Sequence, residues 1–481
     1  MENNFFYKDT ENNTFSQLIF FPIIMITIFF GWFIANTGTT VATLLIVFPF
    51  IIGFLILVFL QPRIGLIFFI IYSFSMPFLI KHTDGLKFGL GIDAILIITW
   101  LGVIFNRGNK YRFRHLNTDL LWLAVVWFIV TVLQIFNFER PDIVGWLQEM
   151  RSATLYWVLV IPLTILVFNK KSDVNFFLDL LISLSVLGAI YGIKQLFIGP
   201  DDSENRWLDA GAKQTHIIFG KLRIFSFYSE AAQFGASQAQ LAIMCIILAF
   251  GPHKKLRKIF YVIAAVFLLY GMLISGTRSA LAGIFGGGLI FLILSKQTKI
   301  IFIGLITGLT FFSFLKFTFI GESNADIRRL RTGVDINDAS YVVRLQNQSL
   351  LQQALSSKPF GTGVGTTGEW GKVYNRHIAT ALIPPDSLFV KVWVMYGVTG
   401  LILWLGIMLY ILGKSAGIIW NTRDPVLRNQ LCALCSGFGG MLLISYGNEI
   451  MNALPSSIIV YISWALIWMS PRWDTPITKT A

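Results

Sequence analysis

Charge is scarce in this sequence. Only 13% of the 481 residues are Asp, Glu, Lys or Arg, about half the ~25% found in soluble domains. No soluble-looking stretch is long enough for a second domain, so one membrane domain over 1–481 is expected. Histidine is rare, at 5 residues. His82, His115, His216 and His253 form no metal-ligand pattern, so no metal and no other cofactor is expected. Of the 3 cysteines, Cys245 stands alone. Cys432 and Cys435 have redox or metal spacing, but they fall in an apolar run without further ligands, and packing is the expected role. No basic stripe interleaved with aromatics is present, which argues against nucleic acid as a partner. No internal repeat is evident. The first apolar block is too long for a cleaved signal and is followed by no small-residue cleavage pattern.

What the sequence has is apolar length. Hydrophobic residues make up 55%, and the mean hydropathy is +0.69. A spanning helix needs roughly 20 apolar residues. Candidate spans lie near 18–35, 41–60, 63–80, 88–105, 118–136, 153–168, 175–198, 231–250, 258–275, 278–295, 299–319, 387–412, 428–448 and 455–470. The expected fold is therefore an all-α polytopic membrane protein with about 12–14 transmembrane helices. Two connections, 199–230 and 320–386, are long and polar, and loops of that kind carry function or are disordered.

The formal net charge is +13, and its distribution sets an orientation. Every even connection is basic: Arg107, Lys110, Arg112 and Arg114; Lys170 and Lys171; Lys254, Lys255, Arg257 and Lys258; Lys296 and Lys299; Lys414, Arg423 and Arg428; and Arg472 and Lys479 at the end. Basic loops stay cytoplasmic. Both termini are then expected inside, and both long loops, with the turn at Gly276–Arg278, outside.

Three arginines fall on that outer side. Arg223 precedes the eighth segment, Arg278 sits at the junction of the ninth and tenth, and Arg344 lies in the second long loop. Each has an ordinary reading: Arg223 pairing with Glu230, Arg278 snorkelling to headgroups, Arg344 solvated on a loop helix. Together on one face they suit the bidentate recognition of phosphate oxygens. Residues 340–357 have helical periodicity and end at Pro359, giving an amphipathic helix that carries Arg344 along the membrane surface. The run Gly361–Gly365 lacks the following Gly-Lys-Ser/Thr of a P-loop and is expected to form a tight turn. Asp386 occupies an apparent N-cap position, and its alternative role is general base. His377 has the same chemistry on an exposed loop.

In order and spacing, these features resemble the O-antigen ligase and polymerase family over residues 220–412. The matching motifs are Arg223 with Tyr228–Gly235, the turn Ser275–Ala280, Arg344 followed by Pro359-Phe360-Gly361-Thr362-Gly363, and Asp386-Ser387 opening a helix that reaches Tyr396-Gly397-Val398-Thr399-Gly400. The resemblance implies a GT-C-like glycosyltransferase, metal-independent, in a bacterial inner membrane with a periplasmic active site. The implied donor is an undecaprenyl-diphosphate-linked glycan. The implied acceptor is a saccharide hydroxyl, on a growing polysaccharide or on lipid A core. Arg223, Arg278 and Arg344 would hold the diphosphate, and Glu230, Gln233 and Gly363 would contact substrate. Family members often carry His-Asn where this chain has Asp386-Ser387, so Asp386 or His377 would take the acceptor proton. A flippase of lipid-linked oligosaccharide and a protein O-oligosaccharyltransferase are the rival functions.

Overall fold

A computed structural model describes Met25 and residues 28–29, 31–32, 39–83, 88–105, 111–218, 220–323, 325–334 and 339–474. Most of the expected first span, together with Arg107, Lys110 and Lys479, lies outside the described residues. The described chain is helical apart from a two-stranded hairpin, Ile217–Ile218 with Lys221–Leu222. The membrane helices are α1 (Thr39–Leu60), α2 (Pro62–His82), α3 (Phe88–Ile104), α4 (Asp119–Leu133), α5 (Ile143–Val167), α6 (Lys171–Phe197), α7 (Ala231–Phe250), α8 (Lys255–Ile274), α9 (Ser279–Ser295) and α10 (Thr298–Phe317). Two loop helices follow, α11 (Ala325–Arg331) and α12 (Ala339–Leu355), then short α13 (Gly368–Tyr374). The bundle closes with α14 (Leu388–Asn421), α15 (Pro425–Ile444) and α16 (Ser456–Met469). By length and composition, α2, α5, α6, α7, α8, α14 and the helical segment Asp119–Phe136 can each cross a bilayer; Phe48–Leu60, α3, α9 and Ile301–Phe317 are shorter and apolar. The protein is an all-α, multi-pass membrane protein.

Two kinds of surface show how the bundle is solvated. Helices α7 and α16 are buried along nearly their whole length, whereas α10 exposes Phe302, Ile303, Leu305, Ile306 and Leu309. Water penalises such an exposed apolar face, and lipid does not. Because lipid supplies no hydrophobic drive between helices, close packing must do so. Small residues provide it where α9 meets α15. A Cβ on Gly440 would stand 2.6 Å from the Gly283 carbonyl oxygen, and one on Gly287 2.8 Å from that of Ser436.

The basic connections gather at one end of the bundle. There Arg472 Nη2 donates to the His115 carbonyl (3.3 Å), Trp473 Nε1 to that of Asn169 (2.9 Å) and Lys296 Nζ to that of Trp420 (2.6 Å). Both long loops and the turn at Gly276 gather at the other end, which we term the site end. There Asn137 Nδ2 donates to the Phe360 carbonyl (3.3 Å) and the Asp142 amide to Asn375 Oδ1 (2.7 Å).

Helix α5 begins ten residues earlier than hydrophobicity alone suggests. Its first three turns hold Glu149 and Arg151, which the apolar pattern places outside the span. Both charges are matched across the bundle, Arg151 by Asp93 (2.5 Å) and Glu149 by Lys391 (3.0 Å). A five-residue π-turn, Arg151–Leu155, joins this entry to the apolar remainder.

Candidate functional site

The glycine motifs explain how the second long loop is anchored. Gly397 has φ +72°, a left-handed value that breaks α14 about two and a half turns from its N-terminus. The break frees the carbonyls of Val394 and Met395, and the amides of Thr362 and Gly363 donate to them at 2.9 and 3.1 Å. Pro359 O accepts the Thr399 hydroxyl at 3.0 Å. The Pro359–Gly363 run and the Tyr396–Gly400 run are therefore two halves of one lock, in line with the expected close backbone approach. Gly363 is buried against Pro141 with its amide engaged.

From this anchor the loop brings α12 over the bundle. Leu351 and Leu355 bury against Val390 and Val394 of α14. Arg344 and Asn347, three residues apart, project from the same side of the helix. Arg344 Nη2 donates to the Gly447 carbonyl (3.0 Å), and Asn347 Nδ2 donates to Asp386 Oδ2 (2.9 Å). Asp386 has φ +54°. Ser387, not Asp386, occupies the N-cap of α14. The carboxylate of Asp386 thus faces α12, where the sequence suggests a cap.

The other arginines surround the turn Ser275–Arg278. Arg223 donates from Nε to the Ser275 carbonyl, from Nη1 to that of Thr215 and from Nη2 to Thr277 Oγ1, each at 3.3 Å. Arg329 of α11 donates to the Gly276 carbonyl (2.6 Å) and Arg278 to Thr332 Oγ1 (3.0 Å). Burial, with repulsion from Arg329 and Arg278, lowers the Arg223 guanidinium to about 10 against the opposing pull of Glu230. It stays charged at neutral pH. No Arg223–Glu230 ion pair forms among the described residues. A bond from Asn448 to Ser279 and the contact of Gly447 with Ser279 join this group to Arg344. The structure thus brings Arg223, Arg278 and Arg344 into one linked arc and adds Arg329.

Carboxylates form the second half. Lys391, on the first turn of α14, bridges buried Glu149 and half-buried Glu449 at 3.0 Å each. The segment Gly447-Asn448-Glu449 therefore touches Arg344, Ser279 and Lys391 in three successive residues. Glu230 precedes α7. Burial pushes its carboxyl up, Arg223 pulls it down, and Glu449 pushes it up again. Gln233 is buried; its Oε1 accepts from Ser229 Oγ at 2.5 Å and its amide donates to the Leu454 carbonyl. His377 is exposed beyond α13, and its ring has no hydrogen-bond partner among the described residues. No group of three or more His, Cys, Asp or Glu residues is placed to hold a metal ion among the described residues.

Sequence reasoning missed Arg329 and the Glu149–Lys391–Glu449 bridge. For the bridge a signal was available at Lys391, an ionisable group within an apolar segment, which is costly there unless paired or functional. Arg329 sits among Arg328 and Arg331 in a polar loop, where nothing local distinguishes it.

Residues 263–405 match the family model described as O-Antigen ligase. No curated protein matches the chain. The matched stretch contains Arg278, Arg329, Arg344, Asp386 and Lys391; Arg223, Glu230 and Glu449 come from outside it. Residues 263–405 of this multi-pass membrane protein are thus similar to O-antigen ligase, in line with the motifs, which supports a glycan-ligating role.

Proposed function

We propose that this protein is a glycosyltransferase that moves an undecaprenyl-diphosphate-linked glycan onto a sugar hydroxyl at the periplasmic face of a bacterial inner membrane. The observation that carries the reading is the arc of Arg223, Arg278, Arg329 and Arg344 at the site end. Arg278 and Arg329 lie near enough to Arg223 to lower its proton affinity; an anion stabilises such a cluster, and guanidinium forks match diphosphate oxygens. In this reaction the leaving group is a diphosphate. Preorganised positive charge that meets the growing negative charge is the largest catalytic effect available to it. The acceptor is a saccharide, either the growing polysaccharide or lipid A core. Asp386, steadied by Asn347, orients it from the edge of the arc, Gln233 acts from beneath by fixing Ser229 and the Leu454 carbonyl, and His377 lies farther out on the loop surface. The positive-inside pattern puts the basic end and both termini in the cytoplasm and the arc outside.

Arg223→Ala, Arg278→Ala and Arg344→Ala should each remove long-chain surface glycan while the protein still accumulates in the membrane. A gel of surface glycan from the deletion strain separates the acceptors: one capped repeat on lipid A means a polymerase, and no transfer means a ligase. Depletion of the lipid-linked donor from the outer leaflet would instead identify a flippase.

A further inference from the structure

We propose that Glu230 is the general base of the transfer, taking the proton from the acceptor hydroxyl; the assignment rests on the diphosphate-donor reading above. Its carboxylate is the one at the head of α7, and it does not cap that helix. It has no hydrogen bond or ion pair to any described residue, and it is solvent-accessible yet crowded enough by its surroundings to be partly desolvated. The neighbouring acids differ. Asp386 already accepts the Asn347 amide, and Glu149 and Glu449 are clamped by Lys391. A base must have a free lone pair for the acceptor proton, and the Glu230 carboxylate has no competing donor among the described residues.

Its backbone is fixed while its side chain is free. The Ala231 amide donates to His216 Nε2 (3.3 Å), and the Ala231 carbonyl accepts from Thr277 Oγ1 (3.0 Å). Thr277 is also a partner of Arg223. The residue after the proposed base and the guanidinium that grips the leaving group are therefore built on one hydroxyl.

Four charges act on it: Arg223 from the hairpin side, Lys81 from α2, Glu449 from the α15–α16 connection and Glu369 from α13. Glu230 stands between the cationic arc and the acidic group. A diphosphate seated on the arc places its glycosidic carbon at that boundary. The acceptor oxygen attacks that carbon. The carbon–oxygen bond to the diphosphate breaks, and the electron pair leaves on the lipid diphosphate, held by the arginines. The acceptor proton moves to Glu230, which later returns it to water. Carboxyls raised by burial and like charge bring a base's proton affinity closer to neutrality, where proton transfer is most effective.

The test uses the purified full-length protein in lipid nanodiscs. Turnover is measured on the lipid-linked glycan pool extracted from the source cells, and binding on undecaprenyl diphosphate alone. Glu230→Gln should bind undecaprenyl diphosphate within about twofold of wild type yet lose turnover by roughly 100-fold or more. Wild-type turnover should rise with pH along one limb, because the carboxylate is the active form. Glu230→Asp should keep part of the rate on a displaced limb, and Glu230→Gln should lose the limb. Asp386→Asn and His377→Ala should retain it. The assignment is overturned if Glu230→Gln keeps wild-type turnover, or if it loses undecaprenyl diphosphate binding along with turnover. It is equally overturned if Asp386→Asn or His377→Ala, not Glu230→Gln, abolishes the limb. Loss of the broader reading looks different: Arg223→Ala would then bind undecaprenyl diphosphate like wild type.

Discussion

The two ends of the bundle hold several of their cations differently. At the basic end four cations meet carboxylates: Arg63 with Asp173, Arg257 with Asp179, Lys171 with Asp424, and Lys414 with Asp119. At the site end Arg223 and Arg344 have no ion-pair partner among the described residues; carbonyls and a hydroxyl hold them instead. Neutral acceptors fix a guanidinium in place without cancelling its charge. The first arrangement anchors a loop at a membrane surface. The second keeps a field available for an incoming anion. The site end also has lysine–carboxylate pairs, Lys358 with Glu139 and Lys213 with Asp209 near the surface, and at Lys391 a buried one that joins three segments.

This contrast makes breakage costly at one end and cheap at the other. The largest stability effect belongs to Lys391→Met, which leaves Glu149 buried without its partner. It should cost about 3–5 kcal/mol, read from thermal unfolding in detergent. Combining it with Glu149→Gln should restore part of that loss. If the double variant is no better than the single, the bridge is not what Lys391 supplies.

A smaller effect comes from His216. Its Nε2 accepts the Ala231 amide, so Nδ1 carries the proton and donates to the Ala212 carbonyl (3.0 Å). Burial lowers its pKa to about 4. The unfolded ring titrates near 6.5, so the unfolded state binds the proton first as pH falls. Stability from this group is complete above about pH 6.5 and is lost progressively down to about 4, by up to about 3 kcal/mol. Melting curves of wild type against His216→Asn across that window should differ in slope; parallel curves would show that His216 does not couple the site end to pH.

The smallest effect is expected at the basic end. Lys171→Ala should cost about 1 kcal/mol or less, because one partner of the pair is substantially exposed, and it should leave glycan transfer unchanged. A large loss of transfer would erase the distinction between the ends.

Much of the bundle is readable from apolar run length alone, because α7, α8, α9 and α15 are uninterrupted blocks with glycines or charges at their ends. The start of α5 is not, since Glu149 and Arg151 interrupt the pattern and only their partners on α14 and α3 make them tolerable in a span. The arc was legible in three of its four arginines, since Arg223, Arg278 and Arg344 each stand isolated beside an apolar segment. Arg329 was hidden among Arg328 and Arg331. The Asp386 position was legible and its geometry was not: a residue before a helix reads as a cap, and only the left-handed backbone turns its carboxylate toward Asn347. The free carboxylate of Glu230 is likewise invisible in sequence, where proximity to Arg223 suggests a simple ion pair.

The central claim is that Arg223 and Arg344, held by neutral acceptors at the site end, grip a lipid diphosphate. Binding of undecaprenyl diphosphate to the purified wild type, Arg223→Ala, Arg344→Ala and Lys171→Ala tests it directly. Charge-assisted bonds contribute about 1.5–3 kcal/mol each, so either arginine variant should bind roughly 10- to 100-fold more weakly, while Lys171→Ala binds like wild type. Equal affinity across all four proteins would contradict the account.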